Sequence, residues 1–150
     1  MKGRTYRYFE GEPLWPFGYG LSYTKFSYGN LTLPDAPINA GDSLNASIMV
    51  TNTGKVAGDD VVQLYLKFPD VPGAPRRALR GFQRIHLEAG ASQKVEFQLN
   101  PRDLSMVTDA GDIIVAQGEY TLSVGGGQPG TDAPSVSASF KVKGQVMLPE

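Results

Sequence analysis

The chain has no cysteine and a single histidine among its 150 residues. Disulfides, thiolate metal sites and a cysteine nucleophile are excluded, while the redox compartment stays open. Charge is scarce in the net: 14 Lys and Arg stand against 15 Asp and Glu, a balance of −1, so the basic footprint of a nucleic-acid binder is missing. No apolar run approaches the roughly 18 residues of a membrane span. The opening Met-Lys-Gly-Arg-Thr-Tyr-Arg-Tyr-Phe lacks the apolar stretch of a secretory leader. Neither nucleic acid nor membrane is an expected partner, and any export signal lies outside the chain. What abounds is turn chemistry: 18 glycines and 11 prolines are near a fifth of the residues, against an average of about 12%. The length suits one domain with a core of its own.

Between the turns the apolar residues recur with a period of two. Leu44, Ala46, Ile48 and Val50 alternate with polar residues, broken only by Met49, and Val62, Leu64, Leu66 and Phe68 alternate with Gln63, Tyr65 and Lys67. Asn52-Thr53-Gly54 supplies turn residues between these two strands, which read as antiparallel neighbours. In 79–87, Phe82 is out of phase with Ile85 and Leu87, and a bulge near Gly81 restores the phase. Glu88-Ala89-Gly90 then reads as a hairpin into Val95, Phe97 and Leu99. Pro101-Arg102-Asp103-Leu104 reads as one helical turn or a corner, and Asp109-Ala110-Gly111-Asp112 as a hairpin tip. Strands through Tyr120, Leu122 and Val124 and through Val136, Ala138, Phe140 and Val142 flank a loop, 125–134, whose composition suits mobility. With Phe26, Tyr28, Leu31 and Leu33 at the start, this predicts an all-β, immunoglobulin-like sandwich of seven or eight strands. Its expected core comprises Ile48, Val50, Leu64, Leu66, Phe97, Leu99, Leu122, Val124, Phe140 and Val142.

Residues 1–24 depart from this pattern. Seven of the fifteen aromatics lie there: Tyr6, Tyr8, Phe9, Trp15, Phe17, Tyr19 and Tyr23. Pro13, Pro16, Gly11, Gly18 and Gly20 forbid regular structure, so these rings need irregular packing, against this domain or against something beyond it. The segment resembles the stretch that leads into the C-terminal fibronectin type III-like domain of glycoside hydrolase family 3, a family of β-glucosidases and β-xylosidases. The resemblance runs from Gly3-Arg4-Thr5-Tyr6-Arg7-Tyr8-Phe9 and Pro13-Leu14-Trp15-Pro16-Phe17-Gly18-Tyr19-Gly20-Leu21-Ser22-Tyr23-Thr24 onward. It continues through Val50-Thr51-Asn52-Thr53-Gly54, Gly58-Asp59-Asp60-Val61-Val62-Gln63-Leu64-Tyr65-Leu66, Leu79-Arg80-Gly81-Phe82, Pro101-Arg102-Asp103-Leu104-Ser105 and Gly118-Glu119-Tyr120-Thr121-Leu122-Ser123-Val124-Gly125. It implies an aromatic-rich lead-in, 1–24, that serves as an interdomain linker, and a fibronectin type III-like sandwich, 25–150. It also implies that the nucleophile and acid/base residues belong to other domains, and that a periplasmic or secreted parent is in keeping with the family.

The chain's own residues offer no catalytic set. Asp59-Asp60 is the one local carboxylate pair, but neighbours on a strand face opposite ways, which spoils the close spacing that retaining glycoside hydrolysis requires. His86 has no serine or metal-ligand context and reads as a surface strand residue. Asp109 and Asp112 are explained by turn formation and lack the further oxygens of a calcium site. Arg76, Arg77, Arg80 and Arg84, preceded by Pro72 and Pro75, read as the charged guard of an edge strand, with a docking strip for an acidic partner as the alternative. No catalytic residue, metal or cofactor is therefore expected. Arg4, Tyr6, Tyr8, Trp15, Phe17 and Tyr19 are assigned to contact with the catalytic domains of a parent glycosidase, because interfaces favour Arg, Tyr and Trp. The alternative is a carbohydrate- or lignin-binding module, with Trp15, Tyr19 and Tyr23 as a stacking platform for polysaccharide.

Overall fold

The computed structural model describes residues 5–8, 10, 11, 14 and 22–149. Its elements in chain order are β1 (Phe26–Tyr28), β2 (Ile38–Asn39), β3 (Leu44–Asn52), β4 (Gly58–Lys67), β5 (Ala78–Leu87), β6 (Ser92–Leu99), α1 (Pro101–Leu104), β7 (Met106–Val107), β8 (Ile113–Val115), β9 (Gly118–Gly125), β10 (Ser135–Lys143) and β11 (Val146–Leu148). Three strands form one sheet in the order β1-β3-β6, five form a second in the order β2-β10-β9-β4-β5, and β11-β8-β7 make a small third sheet. The first two sheets thus use eight strands, as the alternation predicts.

The period of two decides which side chains meet. Leu44, Ala46, Ile48 and Val50 of β3 and Val95, Phe97 and Leu99 of β6 face Val62, Leu64 and Leu66 of β4, Leu122 and Val124 of β9 and Phe140 and Val142 of β10 in a single core. Every residue of the expected core is buried. The turn and hairpin readings at α1, at the 109–112 tip between β7 and β8, and between β9 and β10 are observed. Asn100 caps α1, accepting from the Arg102 and Asp103 N–H groups at 2.9 and 3.1 Å, while Asp103 accepts from the Asn100 N–H.

Two pairings differ from the sequence reading. β3 and β4 are not neighbours: β3 pairs with β6 and β4 with β5 and β9, so the 53–57 connection crosses from one sheet to the other. The turn at 88–91 also crosses sheets, carrying the chain from β5 to β6 rather than closing a hairpin. Alternating strands look alike whether they turn within a sheet or between sheets, which is why the local pattern misleads. The bulge is present, with Leu64 opposite Gly81 and Tyr65 opposite Leu79, so Arg80 is the extra residue. It does not bring Phe82 inward. That ring stays 68% exposed, and the register gives Gly81 the inner position, where a Cβ would sit 3.0 Å from the Phe97 ring.

Candidate functional site

The described residues of the lead-in reach the sandwich at two points. At the first, Asn52 ends β3 wholly buried. Its amide donates to the Val56 and Leu87 carbonyls, both at 2.9 Å, and its Oδ1 accepts from the Thr24 hydroxyl at 2.7 Å and the Gly54 N–H at 3.0 Å. Four bonds saturate one side chain, and they bind the end of the lead-in, the sheet-crossing turn and β5 together. The approach is tight: a Cβ on Gly54 would lie 1.9 Å from Thr24 Oγ1. The motif Val50-Thr51-Asn52-Thr53-Gly54 is thereby explained by packing.

At the second point, residues 5–8 fold as a turn, the Tyr8 N–H donating to the Thr5 carbonyl at 2.9 Å. The turn lies against the beginning of β5. Arg76 N–H donates to the Arg7 carbonyl at 2.9 Å, and Leu79 N–H donates to the Tyr6 hydroxyl at 3.2 Å. The Tyr6 ring meets Tyr65 edge-on, with centroids 6.3 Å apart. Tyr65 points away from the core yet is only 1% exposed, and burial together with the nearby Tyr6 pushes its phenol up to about 12. The 125–134 loop helps to cover this face, since Arg77 Nη1 donates to the Pro129 carbonyl. The loop is seated on the sheet rather than free of it.

Between the loop and the strands lies an open cleft of about 520 Å³, whose walls include Tyr65, Lys67, Asp70, Arg76, Arg77 and Thr121. The four arginines of the cluster divide. β5 is an edge strand, and Arg84 stands in solvent with Asp59, as an edge guard would. Arg77 and Arg80 are half-buried. Arg80 lies 5.4 Å from the Phe68 ring centroid and donates to the Ser105 carbonyl at 2.6 Å. Burial holds the arginines 77 and 80 below the usual guanidinium range, reinforced by Arg76 for Arg77 and by Arg7 for Arg80.

The carboxylate pair is divided as well. Asp59 faces outward to Arg84 and to His86 Nδ1 at 2.5 Å, while Asp60 accepts from the Tyr28 hydroxyl at 2.5 Å. Burial and then that bond raise the Tyr28 phenol well above its ordinary value. Each acid thus has a structural partner of its own. Among the described residues no group of three or more His, Cys, Asp or Glu is placed to hold a metal ion.

Of the residues assigned to interface contact, Tyr6 and Tyr8 are described, and Tyr6 docks on its own domain. Arg4, Trp15, Phe17 and Tyr19 lie outside the described residues. Leu14 is 93% exposed and Tyr23 fully so. Sequence reasoning missed Arg7, whose place beside β5 depends on a contact between residues some seventy positions apart.

The fibronectin type III-like domain family matches residues 60–128. A β-xylosidase of Formosa agariphila is 40% identical over 91% of this chain and 19% of its own length. Probable β-glucosidase D of Aspergillus niger is 41% identical over 80% of this chain and 19% of its own. Among solved structures, β-glucosidase 3B from Thermotoga neapolitana, in complex with glucose, superposes with a TM-score of 0.82 at 31% identity, covering 95% of this chain and 19% of that one. The chain spans about a fifth of the relatives it matches. With the two-sheet architecture already described, these matches place the chain among the fibronectin type III-like domains that occur as a minor part of glycoside hydrolase family 3 β-glucosidases and β-xylosidases.

Proposed function

We propose that the chain serves as the noncatalytic, stabilising domain of a longer glycosidase that hydrolyses the O-glycosyl bond of a β-glucoside or β-xyloside. In this reading the lead-in packs between the sandwich and the catalytic domains. The observation that carries it is the pairing of a self-sufficient core with bare apolar side chains, Leu14 and Tyr23, in the lead-in. A domain that buries its own core has no folding use for a fully exposed tyrosine, whereas an interface does.

The experiment is substitution of Trp15 in the longer protein. Trp15→Ala is expected to lower stability or domain association by about 2 kcal/mol or more, read by thermal melting, while turnover of an aryl β-glucoside or β-xyloside per folded molecule stays near that of the parent. The isolated 150-residue chain is expected to turn over neither substrate. Unchanged melting together with lost retention on cellulose, xylan or lignin would favour the stacking platform instead.

A further inference from the structure

The outer face of the five-stranded sheet is covered unevenly. Tyr65 is buried against Tyr6, and Gln63 is buried beside it, accepting from the Tyr65 hydroxyl at 2.7 Å. That cover stops at the next strand. Phe82 of β5 stands directly opposite Gln63, hence on the same face, and is 68% exposed. Val61 comes two residues before Gln63 on β4, which makes it a diagonal neighbour of Phe82, and it is 40% exposed. An aromatic ring reaches across that diagonal spacing. Arg84, opposite Val61, is paired with Asp59, so covering the two apolar side chains leaves no lone cation beneath.

Bare apolar side chains are gathered on a few elements of this protein. Of the eight large ones exposed among the described residues, five are Leu14 and Tyr23 of the lead-in, Val56 of the turn entering β4, and Val61 and Phe82. Single apolar residues are ordinary on a surface, whereas a group of them marks a contact. A bare ring on an edge strand is also a hazard, because an open edge pairs with other strands unless it is covered. The lead-in is tied to both ends of this same strand. Arg76 and Leu79 hold Arg7 and Tyr6 at its beginning, and Asn52 joins Thr24 to the Leu87 carbonyl at its end. Phe82 lies between the two ties.

We infer that Phe82 and Val61 form the sandwich's own contact surface for the longer protein, and that their occupant is an apolar patch of the catalytic domains beyond residues 1–150. The inference rests on the proposed role as a domain of a longer glycosidase. Two observations favour this occupant over a second copy of the chain. The segment proposed to run between the domains is tied at both ends of β5, which brings the rest of the protein to that strand. The chain matches only 19% of the length of its β-xylosidase relative, so a protein of that kind has a large body to lay against the sheet.

The test uses the longer protein carrying Phe82→p-benzoylphenylalanine, a photoreactive ring that joins to C–H groups in contact with it, and mass spectrometry maps the joined peptides. Met49→p-benzoylphenylalanine, at an exposed position on the opposite sheet, is the comparison. The expected result is a link within one molecule from position 82 to a residue outside 1–150, and none from position 49. Links confined to residues 1–150, links between two molecules, no link, or equal linking from position 49 each overturn the inference. A second measurement reads the ring's use directly: Phe82→Ser should leave the melting temperature of the isolated chain unchanged and lower that of the longer protein. An equal fall in both would show that Phe82 serves the folding of the sandwich alone, which also overturns the inference. If Leu14 and Tyr23 are shielded in the longer protein, the packing role stands without this surface. If they are as bare there as in the isolated chain, the packing role falls and the inference with it.

Discussion

Among the described residues, the lead-in touches the sandwich in two places that are chemical opposites. At Thr24 and Asn52 every donor and acceptor of the amide is used within the chain, and no atom is left to reach outward. At the second, the Arg7 carbonyl is secured by the Arg76 N–H, while Nε of Arg7 and of nearby Arg80 is buried without a partner. The difference separates two uses of polar side chains. A saturated network fixes how one domain folds, whereas a polar atom buried without a partner is a cost the fold carries.

The closed half of this comparison is the easiest to break. Asn52→Ala removes four hydrogen bonds at a buried site and strands the Val56 and Leu87 carbonyls, so the loss of stability in urea unfolding should be about 3 kcal/mol or more. Gly54→Ala should cost about 2 kcal/mol through overpacking against Thr24. Adding Thr24→Ala removes the atom in its way, so the double variant should be less damaged than the two single losses combined. Strict additivity in that cycle would show that Thr24 and Gly54 are not coupled.

The smallest expected effect concerns the exposed pair on the outer face. The hydrogen bond with Asp59 raises the His86 imidazole, and its bonds with His86 and Arg84 lower the Asp59 carboxyl. The His86 contribution is complete below the ordinary imidazole value and fades as pH rises through the raised one. The Asp59 contribution is complete above the ordinary carboxyl value and is lost as pH falls through the depressed one. The pair therefore acts in the mildly acidic window between the two. An NMR titration of the only histidine should give a midpoint above about 6.5, returning toward it in Asp59→Asn. Stability should hardly change, because both groups lie in solvent.

How much of this was legible follows from how local each feature is. The inward phase of β3 and of the β9–β10 pair, the helical turn at 101–104 and the 109–112 tip are set by residues within a few positions of one another, and the sequence displays them. Which sheet β3 and β4 join was hidden, because it depends on the Asn52 amide reaching the Leu87 carbonyl across 35 positions. Tyr65 and Gln63 alternate as outward residues and so read as solvated. They are buried because Tyr6 and the 125–134 loop, distant in sequence, lie over that face. Composition showed that the lead-in needs irregular packing, while its docking beside β5 rests on backbone bonds that carry no side-chain signature.

The central claim is that the bare side chains of the lead-in become covered in the longer protein. Footprinting with a short-lived radical or carbene, read by mass spectrometry at Leu14 and Tyr23, measures this in the isolated chain and in the longer protein under the same conditions. Strong labelling of both residues in the isolated chain, falling to a small fraction in the longer protein, is the predicted result. Equal labelling in the two would contradict the account.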